Sequence, residues 1–454
     1  MTLRRTAYAS VETAQQLEQH QQQDLDLLQS NRPGYGTRST LEVSFNIVNA
    51  TVGAGVIGLP LTLLWAGFIN GIVLSAIVAF MSYSAIYGMV LAGKHVGVYK
   101  FASLGEHILG RVGFNLINLM LFIQSSGCCI SYFILVADTI PVLCGLYLPQ
   151  YTILANRTIS TLLISILIIF PLNLPRSIGA LASWSTVSVL LLPIMILSIL
   201  IRAPAYAKLH EAPISWLGED PVSALGILSF AFVCSQVAFS NYLSQRNQSV
   251  TAWSITSALS SFMSWSISIT FAVIGYLCFG KDVQSNLFAN FPVDDHVINV
   301  GRLALGLSIV LTVPMAFYPA RDAMQKALGF ETSDRQPSAV QHYTVTVMLF
   351  AALLALGVHV RSLGKVYSLV GGIASSCLAY LMPGLAYIGA FHPTWLPRLF
   401  FSTAERQPLL LAQDATAKDA NELLKPKRWL DIVSIVLVIF GSALMVLTAI
   451  KAFQ

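Results

Sequence analysis

The sequence predicts an all-α polytopic membrane protein, because its composition is apolar, its charges are segregated and the segments between them are long. Of the 454 residues, 55% are hydrophobic and 10% are charged, whereas soluble domains carry about 25% charged residues. Uncharged stretches such as residues 43–93 and 247–280 separate the charged clusters. A helix needs about 20 residues to cross the hydrocarbon core. Ten such stretches, the first long enough for two helices, predict 11 transmembrane helices, with the lipid bilayer as solvent.

The same pattern divides the chain. Residues 1–40 are polar and Gln-rich and lack an apolar core, which predicts a disordered cytoplasmic tail. Residues 41–390 form the membrane core of helices 1 to 10. A polar loop covers residues 391–427, and helix 11 covers residues 428–454.

Positive charge predicts the orientation. Most of the 26 Lys and Arg residues lie on the side of the membrane that holds the N-terminal tail, so the positive-inside rule places the N-terminus in the cytoplasm. On the opposite side, Asn156-Arg157-Thr158 matches the acceptor pattern for N-glycosylation. We therefore expect Asn156 to be a candidate glycosylation site.

Several functional classes are disfavoured. The six cysteines lie mostly within predicted helices, and none belongs to a pair or Cys/His cluster with metal-ligand spacing. No nucleophile or nucleotide motif indicates an enzyme, no basic motif indicates a nucleic-acid partner, and no filter motif indicates a channel. We expect no organic cofactor.

Predicted helix 1 has glycines at its centre, where they weaken a helix. Its segment Ser44–Phe68 places Gly53-Ala54-Gly55 near the bilayer midplane, although each glycine costs about 1 kcal/mol in a helix interior. One interpretation is a close-packing face of small residues. The other is a break, after which the second half-helix, beginning near Val56, points its N–H groups and positive dipole end at an anion.

Helix 6 contains a second candidate break. Its core, Ser229 to Gln236, mixes aromatic, β-branched and polar residues. Helices 1 and 6 are five apart, as equivalent helices of two five-helix repeats would be. Transporters built from inverted repeats place discontinuous helices at equivalent positions and bind substrate between them.

Five stretches together resemble the amino acid/auxin permease family, in particular its branch of sodium-coupled neutral amino acid transporters and fungal vacuolar amino acid transporters. They are NIVNATVGAGVIGLP (46–60), SFAFVC (229–234), GYLCFGKDVQSNLFANF (275–291), RLALGLSIVLTVPMAFYPAR (302–321) and LGKVYSLVGGIASSCLAYLMPGLAY (363–387). The resemblance implies a leucine-transporter-type fold, a 5+5 inverted repeat plus one extra helix, with helices 1 and 6 discontinuous. One departure concerns helix 6, where Ser235 and Gln236 stand where many relatives have a histidine.

The resemblance implies a binding site at the two breaks. The N–H groups of Gly53, Ala54 and Gly55 would bind a substrate α-carboxylate. Carbonyl groups near Thr51 and from Ser229 to Phe232 would accept the α-amino group. The side-chain pocket would be lined by Phe232, Cys234 and Ser235, each of which could instead simply pack. A pocket without a fixed charge favours a neutral amino acid.

The sequence does not decide whether transport is coupled to Na⁺ or to H⁺. In the sodium-coupled branch, positions matching Asn49 and Thr312 ligate Na⁺, although an interhelical hydrogen bond is their simpler role. Proton coupling normally uses an intramembrane carboxylate or histidine, and no histidine falls near the middle of a predicted helix. The sequence thus predicts secondary active transport of neutral amino acids, with Na⁺ favoured and H⁺ the alternative. A proton-coupled vacuolar exporter and an amino acid sensor are competing interpretations.

Two short motifs indicate sorting. Glu405, Leu409 and Leu410 form an acidic dileucine pattern in the loop before helix 11, and a second dileucine pattern begins at Asp24. Both would face cytosolic sorting adaptors. They favour a vacuolar or lysosomal membrane, with the plasma membrane as alternative; an amphipathic surface segment is another interpretation of the first motif.

Overall fold

The computed structural model describes residues 33–176, 182–207, 209–330, 336–395 and 425–453, which are helical with short connections. Within these ranges the only β pairing is a bridge between Arg38 and Gln245. The α-helices are α1 (Thr40–Thr51), α2 (Leu59–Ala66), α3 (Phe68–Val96), α4 (Phe101–Tyr147), α5 (Arg157–Ile164), α6 (Phe170–Leu172), α7 (Ala182–Tyr206), α8 (Pro221–Phe232), α9 (Ser235–Ser244), α10 (Val250–Phe279), α11 (His296–Ala327), α12 (Ala339–His359), α13 (Leu363–Val370), α14 (Met382–Phe391) and α15 (Arg428–Ala452).

Eight helical segments of the described chain are long and apolar enough to cross a membrane, and a ninth arises if α1 and α2 form one bent segment. Two more predicted helices fall on the shorter apolar helix Arg157–Leu172 and on α7, whose 25 residues include the apolar segment Leu191–Tyr206. The chain is therefore an all-helical, multi-pass membrane protein.

The first break lies between α1 and α2. A capping box of Ser39 and Glu42 starts α1, which ends before Val52 and Gly53. A 3₁₀ turn then runs over Ala54–Gly58, two residues earlier than the sequence predicts. The two halves are bent by 55°.

The second break lies between α8 and α9. Pro221 stands at the start of α8, where its missing N–H costs nothing. Val233 then adopts an extended conformation, with φ −71° and ψ 118°. Cys234 has φ −138° and ψ 7°, and α9 starts at Ser235. Both candidate breaks of the sequence are thus interrupted helices in the structure.

Burial separates central from peripheral helices. In the most apolar stretch of the α8–α9 segment 78% of residues are buried, as in the segment Leu363–Phe391, against 28% in α15. The second break therefore lies in the centre of the helical bundle, while α15 lies at its edge.

The connections meet on two opposite faces. On the first, the N–H of Arg38 donates to Ser244 O at 2.9 Å, before α1 and after α9. On the second, Ile69 N–H donates to Ser215 O at 3.1 Å, and Tyr147 Oη lies 3.2 Å from His296 Nδ1.

Part of the predicted N-terminal tail belongs to the first face. Gly36 lies so close to the loop after α9 that a Cβ added to it would lie 2.1 Å from Gln245 O. Residues 34–38 therefore pack against the loop after α9, although the sequence predicts disorder up to residue 40. Residues 1–32 of that tail lie outside the described residues.

A buried arginine anchors each face. Arg302 donates to the carbonyls of Phe288 and Phe291, both at 2.8 Å. Arg321 donates to the carbonyls of Asn173 and Pro175, at 2.6 and 2.8 Å. Guanidinium groups suit this role because they offer five donors in a fixed plane. Both arginines thus hold connecting loops onto α11.

Candidate functional site

The first break exposes backbone donors. Gly53 N–H donates to Thr51 O at 3.0 Å, and Val56 N–H donates to Gly53 O at 3.1 Å. The N–H groups of Ala54 and Gly55 come first in the following helix, where no carbonyl of that helix can accept from them. They carry the partial positive charge of the helix end. A Cβ placed on Gly53 would meet no atom within 4 Å, so the space beside this break is open.

The second break lies directly against the first. A Cβ on Gly55 would lie 3.4 Å from Ala231 Cα and 3.4 Å from Phe230 Cδ1. The rings of Phe230 and Tyr367 lie 4.5 Å apart, and a Cβ on Gly58 would lie 2.9 Å from the Tyr367 ring. Two aromatic rings therefore pack along the half-helix that leads away from the first break.

The second break exposes backbone acceptors. The last four carbonyls of a helix lack partners within it, and in α8 these belong to residues 229–232. Phe232 O accepts a hydrogen bond from Ser82 Oγ at 2.8 Å. Donor groups at one break and acceptor groups at the other thus lie side by side.

Neighbouring helices complete the surroundings. Tyr380 Oη donates to Ser229 Oγ at 3.2 Å, and Ser375 Oγ donates to Gln124 Oε1 at 2.6 Å. Tyr380 and Ser375 lie in π-helical segments, Gly371–Ser375 and Cys377–Leu381, a widening that recurs at functional sites.

The segments that form and surround the two breaks contain no charged side chains. Residues 43–93, 222–245 and 366–397 contain no Asp, Glu, Lys or Arg. An anion at the first break would therefore be stabilised by N–H groups and the helix dipole, and a cation at the second by carbonyl groups.

The predicted substrate residues gather at this place. Phe232, Cys234 and Ser235 are buried beside the second break, and Ser229 lies one turn before it. Thr51 ends α1, and its Oγ1 donates to Ile47 O at 2.8 Å. The structure therefore brings the predicted residues of both breaks together, while their binding role stays a prediction.

The predicted sodium ligands lie on different helices. Asn49 is half-buried on α1. Thr312 Oγ1 donates to Ser308 O at 2.7 Å on α11. Their pairing around Na⁺ stays a prediction.

The remaining predicted sites divide into two groups. Asn156 is exposed and caps α5, where its Oδ1 accepts the N–H groups of Thr158 and Ile159. Its amide nitrogen, the atom that carries a glycan, is not needed for that cap. Glu405, Leu409 and Leu410 lie outside the described residues.

Sequence reasoning missed Ser82 and Tyr380. Each is a polar side chain in a mostly apolar helical segment, and each contacts the second break from about 150 residues away. The only local signal was polarity within a membrane helix, which also fits an ordinary interhelical contact.

Comparison with known proteins agrees with this geometry. The family model described as "Transmembrane amino acid transporter protein" matches residues 36–404. A Danio rerio protein named "Putative sodium-coupled neutral amino acid transporter 11" is 27% identical over 81% of this chain and 83% of its own length. Vacuolar amino acid transporter 2 of Saccharomyces cerevisiae is 27% identical over 76% of this chain and 75% of its own. Sodium-coupled neutral amino acid transporter 7 of Xenopus laevis is 25% identical over 78% and 81%. The chain therefore belongs to the family of transmembrane amino acid transporter proteins.

Proposed function

We propose that this protein carries out secondary active transport of neutral amino acids, coupled to a cation. The observation that supports this most is the close approach of the two breaks, where a Cβ added to Gly55 would lie 3.4 Å from Ala231 Cα. Free N–H groups beside free carbonyls match a zwitterion, whose carboxylate and ammonium are separated by one carbon atom. The absence of charged residues from residues 43–93 and 222–245 favours a neutral side chain.

The proposed architecture is an 11-helix, leucine-transporter-type 5+5 inverted repeat. In this arrangement α1–α2 is helix 1 and α8–α9 is helix 6, and each break is the midpoint of one repeat's first helix. Arg157–Leu172 and α7 (Ala182–Tyr206) supply helices 4 and 5. Arg157–Leu172 would need neighbouring helices to cover its ends, since it is shorter than about 20 residues.

Na⁺ is the proposed coupling ion. Two of the relatives carry sodium coupling in their names, and Asn49 and Thr312 offer an amide and a hydroxyl oxygen. H⁺ is the alternative for a vacuolar exporter, a location that one relative's name supports. We propose a vacuolar or lysosomal membrane, with the N-terminus in the cytoplasm.

The test is uptake into proteoliposomes. Purified protein would be reconstituted and offered radiolabelled alanine, glutamine, leucine, tyrosine, lysine and glutamate, with Na⁺ and pH gradients imposed separately. We expect uptake of the neutral amino acids, driven by the Na⁺ gradient. Uptake driven only by pH would assign H⁺, and binding without uptake would assign a sensor.

A further inference from the structure

Ser82 differs from the other buried hydroxyls of its helix. A serine in a helix commonly donates to the carbonyl four residues before it, and Ser84 does so, to Phe80 O at 2.9 Å. Ser82 instead donates across the bundle to Phe232 O, at 2.8 Å. Both serines are buried on α3. The hydroxyl of Ser82 therefore serves the second break and not its own helix.

Ser82 contacts both sides of that break. Phe232 is the last residue of α8, and Cys234 directly precedes α9. Ser82 Oγ lies 3.5 Å from Cys234 Sγ. Since the hydroxyl has one proton and two lone pairs, it can donate to Phe232 O and accept from the thiol at the same time. One side chain thus joins the two half-helices.

Two other residues of the last turn of α8 lie against the first break. A Cβ added to Gly55 would lie 3.4 Å from Ala231 Cα and from Phe230 Cδ1. The carbonyls of Phe230 and Ala231 belong to the last four of α8, which have no N–H donor within that helix, whereas Phe232 O accepts from Ser82.

We propose that Ser82 is a positioning residue for amino acid binding, which holds the second break so that the carbonyls of Phe230 and Ala231 receive the substrate's ammonium group. Ser82 does not touch the substrate in this scheme. It acts through Phe232 and Cys234. The inference rests on the proposed transport function.

The test compares Ser82→Ala with Ser84→Ala, which removes an equally buried hydroxyl from the same helix. KM and Vmax of uptake are measured in proteoliposomes for whichever of alanine, glutamine, leucine or tyrosine the wild type transports fastest. We expect Ser82→Ala to raise KM about tenfold, because a buried carbonyl loses its donor and the break relaxes. Vmax should stay within about twofold, and Ser84→Ala should match the wild type.

Two further variants separate positioning from general packing. Ser82→Thr keeps the hydroxyl and should restore KM to within about threefold of the wild type, whereas Ser82→Cys, with a weaker donor, should fall between alanine and wild type. An unchanged KM in Ser82→Ala, or a KM that Ser82→Thr does not restore, overturns the inference. A wild type that takes up none of the four amino acids refutes the transport function itself.

Discussion

The two helix breaks are built differently. At the first, Gly53 and Gly55 allow the chain to leave the helix, and the freed groups bond partly within the segment, as Gly53 N–H does with Thr51 O. At the second, the stretch Ser229 to Gln236 contains neither glycine nor proline. Its freed carbonyl at Phe232 is satisfied by Ser82, on another helix. The first break is thus specified locally, and the second depends on tertiary contacts.

The two breaks also present opposite partial charges. The first break ends in the N-terminus of a helix and presents donors, and the second follows the C-terminus of α8 and presents acceptors. Neither break alone could bind both ends of an amino acid. The close approach of Gly55 to Ala231 places the donors of one break beside the acceptors of the other.

The largest expected effect is at Gly55. A Cβ added to Gly55 would already lie 3.4 Å from atoms of Ala231 and Phe230. The branched side chain of Gly55→Val would therefore push the two breaks apart. We expect uptake to fall about 100-fold, the factor that about 3 kcal/mol of overpacking produces, with membrane insertion near normal. The control is Gly145→Val, at an exposed position where a Cβ added to the glycine would have only Ala155 Cβ within 4 Å among the described residues. Wild-type uptake in Gly55→Val would return the glycines to a packing role.

Gly53→Ala tests whether the open space beside Gly53 holds substrate or whether the glycine is needed only for folding. A Cβ at Gly53 meets no atom within 4 Å, so the variant should fold as stably as the wild type. If the open space holds substrate, the added methyl should raise KM about fivefold, since one methyl group in a pocket changes binding by about 1 kcal/mol or more. The measurement pairs KM with the thermal midpoint. A lower midpoint with an unchanged KM would show that Gly53 serves folding only.

The sequence predicted the first break better than the second for a physical reason. Glycines reveal a weak helix wherever they occur, so Gly53 and Gly55 could be identified locally. Nothing near Phe232 shows that Ser82 will donate to it, because that contact joins residues 150 positions apart.

For the fold as well, some features could be predicted from the sequence and others could not. Segregated charges sufficed to predict an all-helical membrane protein. The helix number is harder, because Arg157–Leu172 is short, and uncharged stretches in the sequence do not reveal where helices end inside the bundle.

Thr312→Ala tests whether an ion stabilises the first break from α11. The substitution removes one oxygen, so we expect the Na⁺ concentration for half-maximal uptake to rise about threefold, with high Na⁺ restoring uptake. Binding of ion and substrate should favour each other reciprocally. Thr62→Ala is the matched control, since Thr62 Oγ1 donates within its own helix to Leu59 O at 2.6 Å. Uptake that ignores Na⁺ and follows the pH gradient would refute the sodium site.

The smallest expected effect concerns the N-terminal end of α8. Burial raises the pKa of Asp220, but hydrogen bonds from Lys451 and Ser223 outweigh it and hold the pKa below its ordinary value. A depressed carboxyl pKa contributes stability above the unfolded pKa, and this is lost only as the pH falls through the folded pKa, here below about pH 4.

Asp220→Asn should therefore lower the thermal midpoint equally at pH 7 and pH 5. The shift should be about 1 °C or less, because the pair is partly exposed. Midpoints of both proteins in detergent at the two pH values provide the measurement. A difference that disappears at pH 5 would show that the ion pair breaks in an acidic compartment.

Competition by substrate fragments tests the central claim most directly, namely that the first break binds an α-carboxylate while the second binds the ammonium group. Uptake of the labelled amino acid that the wild type prefers would be inhibited with the unlabelled amino acid, its primary amide and the amine lacking the carboxyl group. The two break geometries predict that the amide and the amine inhibit about 100-fold more weakly, because each loses charge-assisted hydrogen bonds to the N–H groups near Gly55. An amine that competes as well as the amino acid would show that the carboxylate is not bound there.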